Sequence, residues 1–507
     1  MEPGDGSNEL PAGSPLFAYE KNGKKKDKPR IFTHNPQEDT VLVFSSPTFL
    51  FIFLPIVFRL NFAFAGRVRV RNALLLLASV VFYAWGEPVY VLLMIFTSLV
   101  NHLLALCLGG GARKKALLAL IIIWNIGSLV YFKYTDFLIQ SVNSLAGLSI
   151  PPVGIKLPIG ISFFTFQAMS YALDVYRGQV PPQRNFFNTL LYISLFPQLI
   201  AGPIVKYHDV AAQLEERPLS IEGAASGLRR FSCGLCKKVL IANVLGQLAD
   251  SIYALDTASI NAPIAWLGAI SYLFQIYFDF SGYSDMAIGL GRVFGFSFRE
   301  NFRYPYAADS MQDFWRRWHI SLSTWFKEYV YIPLGGNRRG TVRTGVNKVL
   351  VFFLTGLWHG ASWNFVLWGL FHGAFLMLES YGILRVNKWK KPLRHIYTLL
   401  AVTVGFVLFR AETLSAAWGM ICKMFAGWQF GAEHAARLSM LLSPIAIAAL
   451  IAGAFAALPY GGRLAERLAR KGGAYEGLVY AAGFIGFVLC ALCLSTSAYN
   501  PFIYFRF

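Results

Sequence analysis

The sequence predicts an all-α, polytopic integral membrane protein, and three observations lead there. Of 507 residues 55% are hydrophobic and only 14% charged, with a mean hydropathy of +0.48, which excludes an ordinary water-soluble globular chain. Apolar stretches of about 20 residues, the length that spans ~30 Å of hydrocarbon, recur from near residue 41 to near residue 497. The formal charge of +19 is carried by Lys and Arg clustered in short loops between those stretches. That is the pattern of cytoplasmic loops rather than of a nucleic-acid surface.

Residues 1 to about 40 are polar, centre on Lys24-Lys25-Lys26-Asp27-Lys28-Pro29-Arg30, and lack the apolar core of a signal peptide. A disordered tail is expected there, ahead of one membrane domain over 41–507. Arg67, Arg69 and Arg71 compete with that basic tail for the cytoplasmic side across a single apolar run, and the reading adopted is an extracytoplasmic N-terminus. About eleven spanning or re-entrant helices are expected, from candidates near 41–64, 72–86, 88–108, 115–138, 155–176, 187–205, 233–255, 263–294, 346–379, 395–410, 438–458 and 477–497, one or two of which do not cross fully.

Pro197, Gly202 and Pro203 interrupt the run 195–203, and broken backbone at membrane depth survives only where protein or a cavity shields it. This stretch is read as re-entrant and cavity-lining. The densest basic region, 292–348, includes Arg292, Arg316, Arg317, Arg338, Arg339 and Arg343 and is assigned to the cytoplasmic side. Within it, 309–333 interleaves Trp315, Trp318, Trp325, Tyr329 and Tyr331 with Arg and Lys, which predicts a helix lying along the interface. The six cysteines sit in or beside apolar segments, where thiols behave as small hydrophobes; neither C-x-x-C pair has a histidine at ligand spacing, so no metal is expected.

His359 stands inside the otherwise apolar run 349–368, where an ionisable group is expensive. Either it is a neutral histidine bonded to a nearby carbonyl, or it is a proton-transfer group. Gly360 beside it favours the second reading, because glycine lets a substrate or another backbone approach closely. His319 follows Phe314-Trp315-Arg316-Arg317-Trp318, a setting that suits headgroup contact or catalysis equally. His372, beyond Trp368, is read as a packing histidine. Asp279 and Asp285 lie in a long apolar context, where each must find a partner or protonate. They either anchor helices by pairing with Arg292, Arg316 or backbone amides, or orient a catalytic imidazole. The chain has no G-x-S-x-G elbow, Walker loop, H-E-x-x-H or dinucleotide fingerprint, so serine hydrolases, ATP-driven pumps and zinc proteases lose support.

Five motifs in order, Tyr277-Phe278-Asp279-Phe280-Ser281-Gly282-Tyr283-Ser284-Asp285, Asn301-Phe302-Arg303-Tyr304-Pro305-Tyr306, Phe314-Trp315-Arg316-Arg317-Trp318-His319-Ile320-Ser321-Leu322, Tyr331-Ile332-Pro333-Leu334-Gly335-Gly336 and Gly356-Leu357-Trp358-His359-Gly360, closely resemble the membrane-bound O-acyltransferase superfamily. The branch they look most like is the membrane subunit of bacterial alginate O-acetyltransferases. The opening Val43-Phe44-Ser45-Ser46-Pro47 and the ending Tyr499-Asn500-Pro501-Phe502-Ile503-Tyr504-Phe505-Arg506-Phe507 extend the resemblance over about 41–507. Two departures are the long basic tail and Lys327-Glu328, which stands where Arg-Asp is commoner in the family.

What the resemblance implies is a helical fold with a thin centre, funnels on both faces, His359 as the essential residue and His319 as the second histidine. It further implies a multi-pass protein of the bacterial inner membrane that passes an acetyl group from a cytoplasmic thioester, such as acetyl-CoA, to an extracytoplasmic esterase-like partner for O-acetylation of a secreted polysaccharide. No permanently bound cofactor is expected. In the corresponding mechanism His359 is the base, Trp358, Trp363 and Asn364 shape the tunnel, Asp279, Asp285 and Trp315 support it, and Arg316 and Arg317 attract the donor's phosphates. An acyl-histidine intermediate stays open. Two alternatives differ in class or donor: a transporter using intramembrane Asp and His as a proton path, and a D-alanyl transferase of the same superfamily.

Overall fold

The computed structural model describes residues 42–109, 113–496 and 499–503. The N-terminal tail and Tyr504-Phe505-Arg506-Phe507 therefore lie outside the described residues. Everything described is helix, turn or extended connection without a strand, in agreement with the predicted class.

The helices used below are α1 (Val68–Gly86), α2 (Tyr90–Leu108), α3 (Lys114–Leu129), α4 (Thr135–Ala146), α5 (Ile161–Tyr176), α6 (Ile221–Cys236), α7 (Ala262–Val293), α8 (Met311–Arg317), α9 (Ile320–Phe326), α10 (Gly340–His359), α11 (Trp363–Ser380), α12 (Lys391–Arg410) and α13 (Gly473–Thr496). Among the described residues five helical stretches are long and apolar enough to cross a membrane, or six if the pair Ala432–Leu441 and Pro444–Ala456, bent by 71°, is one span. That criterion rests on length and composition alone and leaves out the longer, more polar Ala262–Val293, so it does not reproduce the expected count of about eleven. A hydropathy window does not resolve a turn inside an apolar stretch, and 346–379 is such a case: α10 and α11 form a hairpin that turns at 360–362. Segment 187–205 is likewise broken, into Phe186–Ser194 and the single turn Phe196–Leu199, and its buried backbone fits the re-entrant reading.

The 32-residue α7 is the axis of the molecule, and 25 of its residues are buried. It packs against α6 through glycines spaced seven apart on both helices. A Cβ on Gly234 would meet the Gly282 carbonyl oxygen at 2.5 Å, and one on Gly227 would meet that of Gly289 at 2.5 Å. Helices in lipid gain little from the hydrophobic effect between them, so close backbone approach at small residues supplies the attraction.

Asp279 and Asp285, both on α7, act as anchors, with partners other than the expected Arg292 and Arg316. Asp279 pairs with Lys238 at 2.7 Å and accepts the Ile503 amide at 2.8 Å; Asp285 pairs with Lys237 at 2.6 Å and Arg230 at 2.8 Å. All three cations come from α6 or the turn that follows it, because that is the helix α7 touches most closely. Lys238 also donates to the Pro501 carbonyl. The opening and ending motifs meet on α7 as well: Phe44 stacks on Tyr283 at 4.5 Å and Phe502 packs on the same ring at 4.6 Å, while Asn500 donates to the Ser45 carbonyl at 3.1 Å.

The stretch 309–333 is not one interfacial helix. It is α8, α9 and a π-helical turn Lys327–Tyr331, with Trp315, Trp318, Trp325 and Tyr329 buried. Its aromatic rings fill the interior instead of resting among headgroups. The break between α8 and α9 is made by His319, whose φ of 43° lies in the left-handed region.

Two apolar clusters make up the core. One gathers the N-terminal half with Trp325, Phe326 and Trp358. The other gathers α7, α8 and α12 with Trp318, Trp368 and Phe409.

Candidate active site

His319 and His359 come together on the seam between these clusters, with ring centroids 6.3 Å apart. Both are buried, at 0% and 4% exposure, so His319 is not a headgroup histidine of the surface. The His359 ring sits edge-to-face against Trp358, Trp368 and Phe409 at 5.0, 5.0 and 5.2 Å, and His319 contacts Phe280 at 4.6 Å.

Each histidine has its own scaffold. The left-handed backbone at His319 is costly for a residue with a Cβ and survives only where surrounding bonds hold it. Asn301 supplies them: its Oδ1 accepts the Ser321 amide at 3.1 Å and the Ser321 hydroxyl at 2.9 Å and faces His319 Nδ1 at 3.2 Å, while its carbonyl accepts the Ile320 amide at 2.9 Å. The backbone donor fixes which amide atom is oxygen, and an oxygen facing Nδ1 requires that nitrogen to carry the hydrogen in a neutral ring. Nε2 is then the acceptor, and it has no hydrogen-bond partner among the described residues.

His359 is the last residue of α10, where carbonyls are left without intrahelical donors. A π-helical bulge, Val130–Tyr134, joins α3 to α4 and brings two donors to them. Lys133 Nζ donates to the Trp358 carbonyl at 2.6 Å and the His359 carbonyl at 3.3 Å, and the Tyr134 hydroxyl donates to the Leu357 carbonyl at 2.5 Å. A cavity of about 90 Å³ opens beside this point, lined by Lys133, Ser162, Phe163, Ile200, Trp358 and His359 together with residues 157–161. Ile200 belongs to the stretch expected to line a cavity.

The other predicted residues are distributed around this centre. Trp358 packs between His319 and Phe163, at 5.7 and 5.3 Å. Asn364 is buried and donates to the Ala411 carbonyl at 2.6 Å, tying α11 to the end of α12. Trp315 stands one ring further out, against Trp368 at 5.8 Å and His372 at 5.2 Å. His372 is a packing residue, as expected, and accepts a 3.4 Å bond from Trp315. Trp363, expected in the tunnel wall, is 53% exposed on the outside of the hairpin. Gly360 does not open space for a substrate, because a Cβ there would strike the Phe365 ring at 2.1 Å. Arg317 pairs with Asp313 at 2.9 Å and Arg316 is exposed on α8; Asp279 and Asp285 pair with cations of the α6 side and not with either imidazole. Lys133, Tyr134, Ser162 and Asn301 were not singled out from the sequence, although a lysine in the apolar run 115–138 is itself a signal of the kind that singled out His359.

The profile of MBOAT, the membrane-bound O-acyltransferase family, matches residues 115–412. The chain belongs to the membrane-bound O-acyltransferase family. It is an O-acyltransferase, and the transporter alternative is thereby set aside. It is similar to "Probable alginate O-acetylase AlgI" of Azotobacter vinelandii, 40% identical over 92% of this chain and 100% of that protein. It is also similar to the protein of the same name in Pseudomonas aeruginosa, 44% identical over 79% of this chain and 78% of that one. A "Peptidoglycan O-acetyltransferase" of Helicobacter pylori is 38% identical over 74% of this chain and 78% of its own length. The matched span of the family holds both histidines, Lys133, Ser162 and Asn301. As a family member with several long apolar helices, this is a multi-pass membrane enzyme.

Proposed function

We propose that this enzyme takes an acetyl group from a cytoplasmic thioester, acetyl-CoA in the simplest case, and passes it through the membrane for O-acetylation of a secreted polysaccharide. The observation that carries the reading is the pair of buried imidazoles 6.3 Å apart, one of which borders a cavity. The relatives named for alginate and for peptidoglycan support acetyl transfer to a polymer. A location in the bacterial inner membrane follows from those needs, and an extracytoplasmic esterase-like partner would receive the group.

Sidedness supports the same direction. The basic loops at Arg113-Lys114-Lys115 and Arg338-Arg339 put the starts of α3 and α10 in the cytoplasm by charge counting. Both helices then run away from it, towards the loop 147–160 that lines the cavity. The cavity is thus on the acceptor's side.

In the reaction the acceptor hydroxyl gives its proton to His359 as its oxygen bonds to the thioester carbonyl carbon. The tetrahedral adduct then expels the thiolate, which recovers the proton from the imidazolium. His319, with Nε2 as acceptor, helps position the donor, and Arg316 and Arg317 draw the donor's phosphates to the cytoplasmic face. The test is His359→Ala in purified, reconstituted protein, with transfer of labelled acetyl as readout. Loss of about 10²–10⁴-fold is expected for removal of a general base with folding intact, and substantial remaining transfer overturns the assignment. Supplying acetyl-CoA and a D-alanyl carrier protein in parallel separates the acetyl reading from D-alanyl transfer.

A further inference from the structure

Lys133 does more than a helix cap requires. An ammonium at membrane depth is costly, and among the described residues no Asp or Glu lies within ion-pair distance of it. Its three acceptors are instead the carbonyls of Trp358 and His359 and the hydroxyl oxygen of Ser162, at 2.6, 3.3 and 3.4 Å. A neutral amide would satisfy the two carbonyls without the cost of burying a charge. The lysine also sits in a π-helical bulge, Val130–Tyr134, and such bulges re-aim side chains and are frequent at functional sites.

The third acceptor tells what the charge is for. Because Ser162 Oγ accepts from the ammonium, its own O–H is left to donate elsewhere, and Ser162, Lys133 and His359 line the same cavity. Acyl transfer develops negative charge on the carbonyl oxygen, and a preoriented donor there is worth more in a low-dielectric site than in water. We propose that Lys133 is a charged positioning residue of the acyl-transfer reaction: it fixes the His359 end of α10 and orients the Ser162 hydroxyl to donate to the acyl oxygen in the transition state. This rests on His359 being the base.

The step balances without any added reagent. The acceptor oxygen bonds to the carbonyl carbon while its proton moves to His359. The carbonyl π pair moves onto the acyl oxygen and takes the Ser162 hydrogen bond, then returns as the carbon–sulfur bond breaks and the thiolate takes the proton. In this step Lys133 only donates hydrogen bonds and passes no proton.

The experiment compares Lys133→Gln, Lys133→Arg, Ser162→Ala, the Lys133→Gln/Ser162→Ala double variant and His359→Ala in proteoliposomes with acetyl-CoA. Lys133→Gln keeps a donor for the carbonyls and drops the charge; a fall in kcat of about 10²-fold or more is expected, with KM for acetyl-CoA unchanged. Lys133→Arg recovers part of the loss, Ser162→Ala lowers kcat by at least about 10-fold, and the double variant is no slower than Lys133→Gln alone, since the two act as one unit. Wild-type kcat in Lys133→Gln alongside an inactive His359→Ala overturns the role of the charge and leaves the base in place. Full activity in His359→Ala overturns the reading beneath it. Should Lys133→Gln fail to fold, Ser162→Ala decides: wild-type kcat in that variant overturns the proposal.

Discussion

Asn301 Oδ1 faces His319 Nδ1 at 3.2 Å while accepting both the amide and the hydroxyl of Ser321. One amide oxygen therefore fixes the tautomer of an imidazole and the left-handed turn that carries it. Replacing Asn301 by Leu should lower kcat by about 10–100-fold, the usual cost of losing the group that orients a functional histidine. Asn301→Asp, which still accepts, should retain more activity. Steady-state acetyl transfer by the two purified variants checks the order, and equal rates would remove the tautomer from the account.

The buried pair Lys238 and Asp279, 2.7 Å apart, predicts an asymmetry. Removing one partner, as in Asp279→Asn, leaves a charge without its counter-ion and should cost about 3–5 kcal/mol. Removing both, as Asp279→Asn with Lys238→Met, should cost less than either single change. Thermal melting in detergent measures the coupling; additive losses would contradict it.

The contact between Gly234 and Gly282 leaves no room for a methyl group, since the added carbon would lie 2.5 Å from a carbonyl oxygen. Gly234→Ala should destabilise the folded state by about 1–3 kcal/mol, visible as a lower melting temperature with kcat per folded molecule unchanged. Gly477, with nothing within 4 Å of its added Cβ, is the control that should tolerate alanine.

His208, outside the candidate spans, bonds Asp174 at 2.9 Å, and that carboxylate holds the imidazole's pKa above its ordinary value against the opposing effect of burial. A raised folded-state value means the pair contributes fully below about pH 6.5 and loses its contribution as pH rises through the raised value. Stability should therefore fall over that rise, and His208→Gln should flatten the profile. A melting curve as steep in the variant as in the wild type would exclude His208 as the titrating group.

Much of the candidate site is legible in the sequence because a membrane setting makes ionisable residues conspicuous. His359 stood out from the apolar run around it, and His319 through its motif. Asn301 lay within a quoted motif but carries no charge, so nothing about it announced a bond to a residue eighteen positions on. Lys133 sits 225 residues before Trp358, whose carbonyl it holds, and a π-helical bulge leaves no hydropathy signature. The same limit explains the α10–α11 hairpin: an apolar window reports affinity for lipid, not the place where the chain turns around. The enrichment of Trp at interfaces predicts Trp318 and Trp325 there, yet both rings are buried in the interior.

The bond from Lys133 to the end of α10 joins the first apolar cluster to the seam where both imidazoles lie. A polypeptide that has inserted its early helices but not yet docked the later ones has the lysine without its carbonyls and the histidines without their clamp. The pairing of the two imidazoles is therefore a property of the assembled bundle, held by a contact between residues 225 positions apart in the chain.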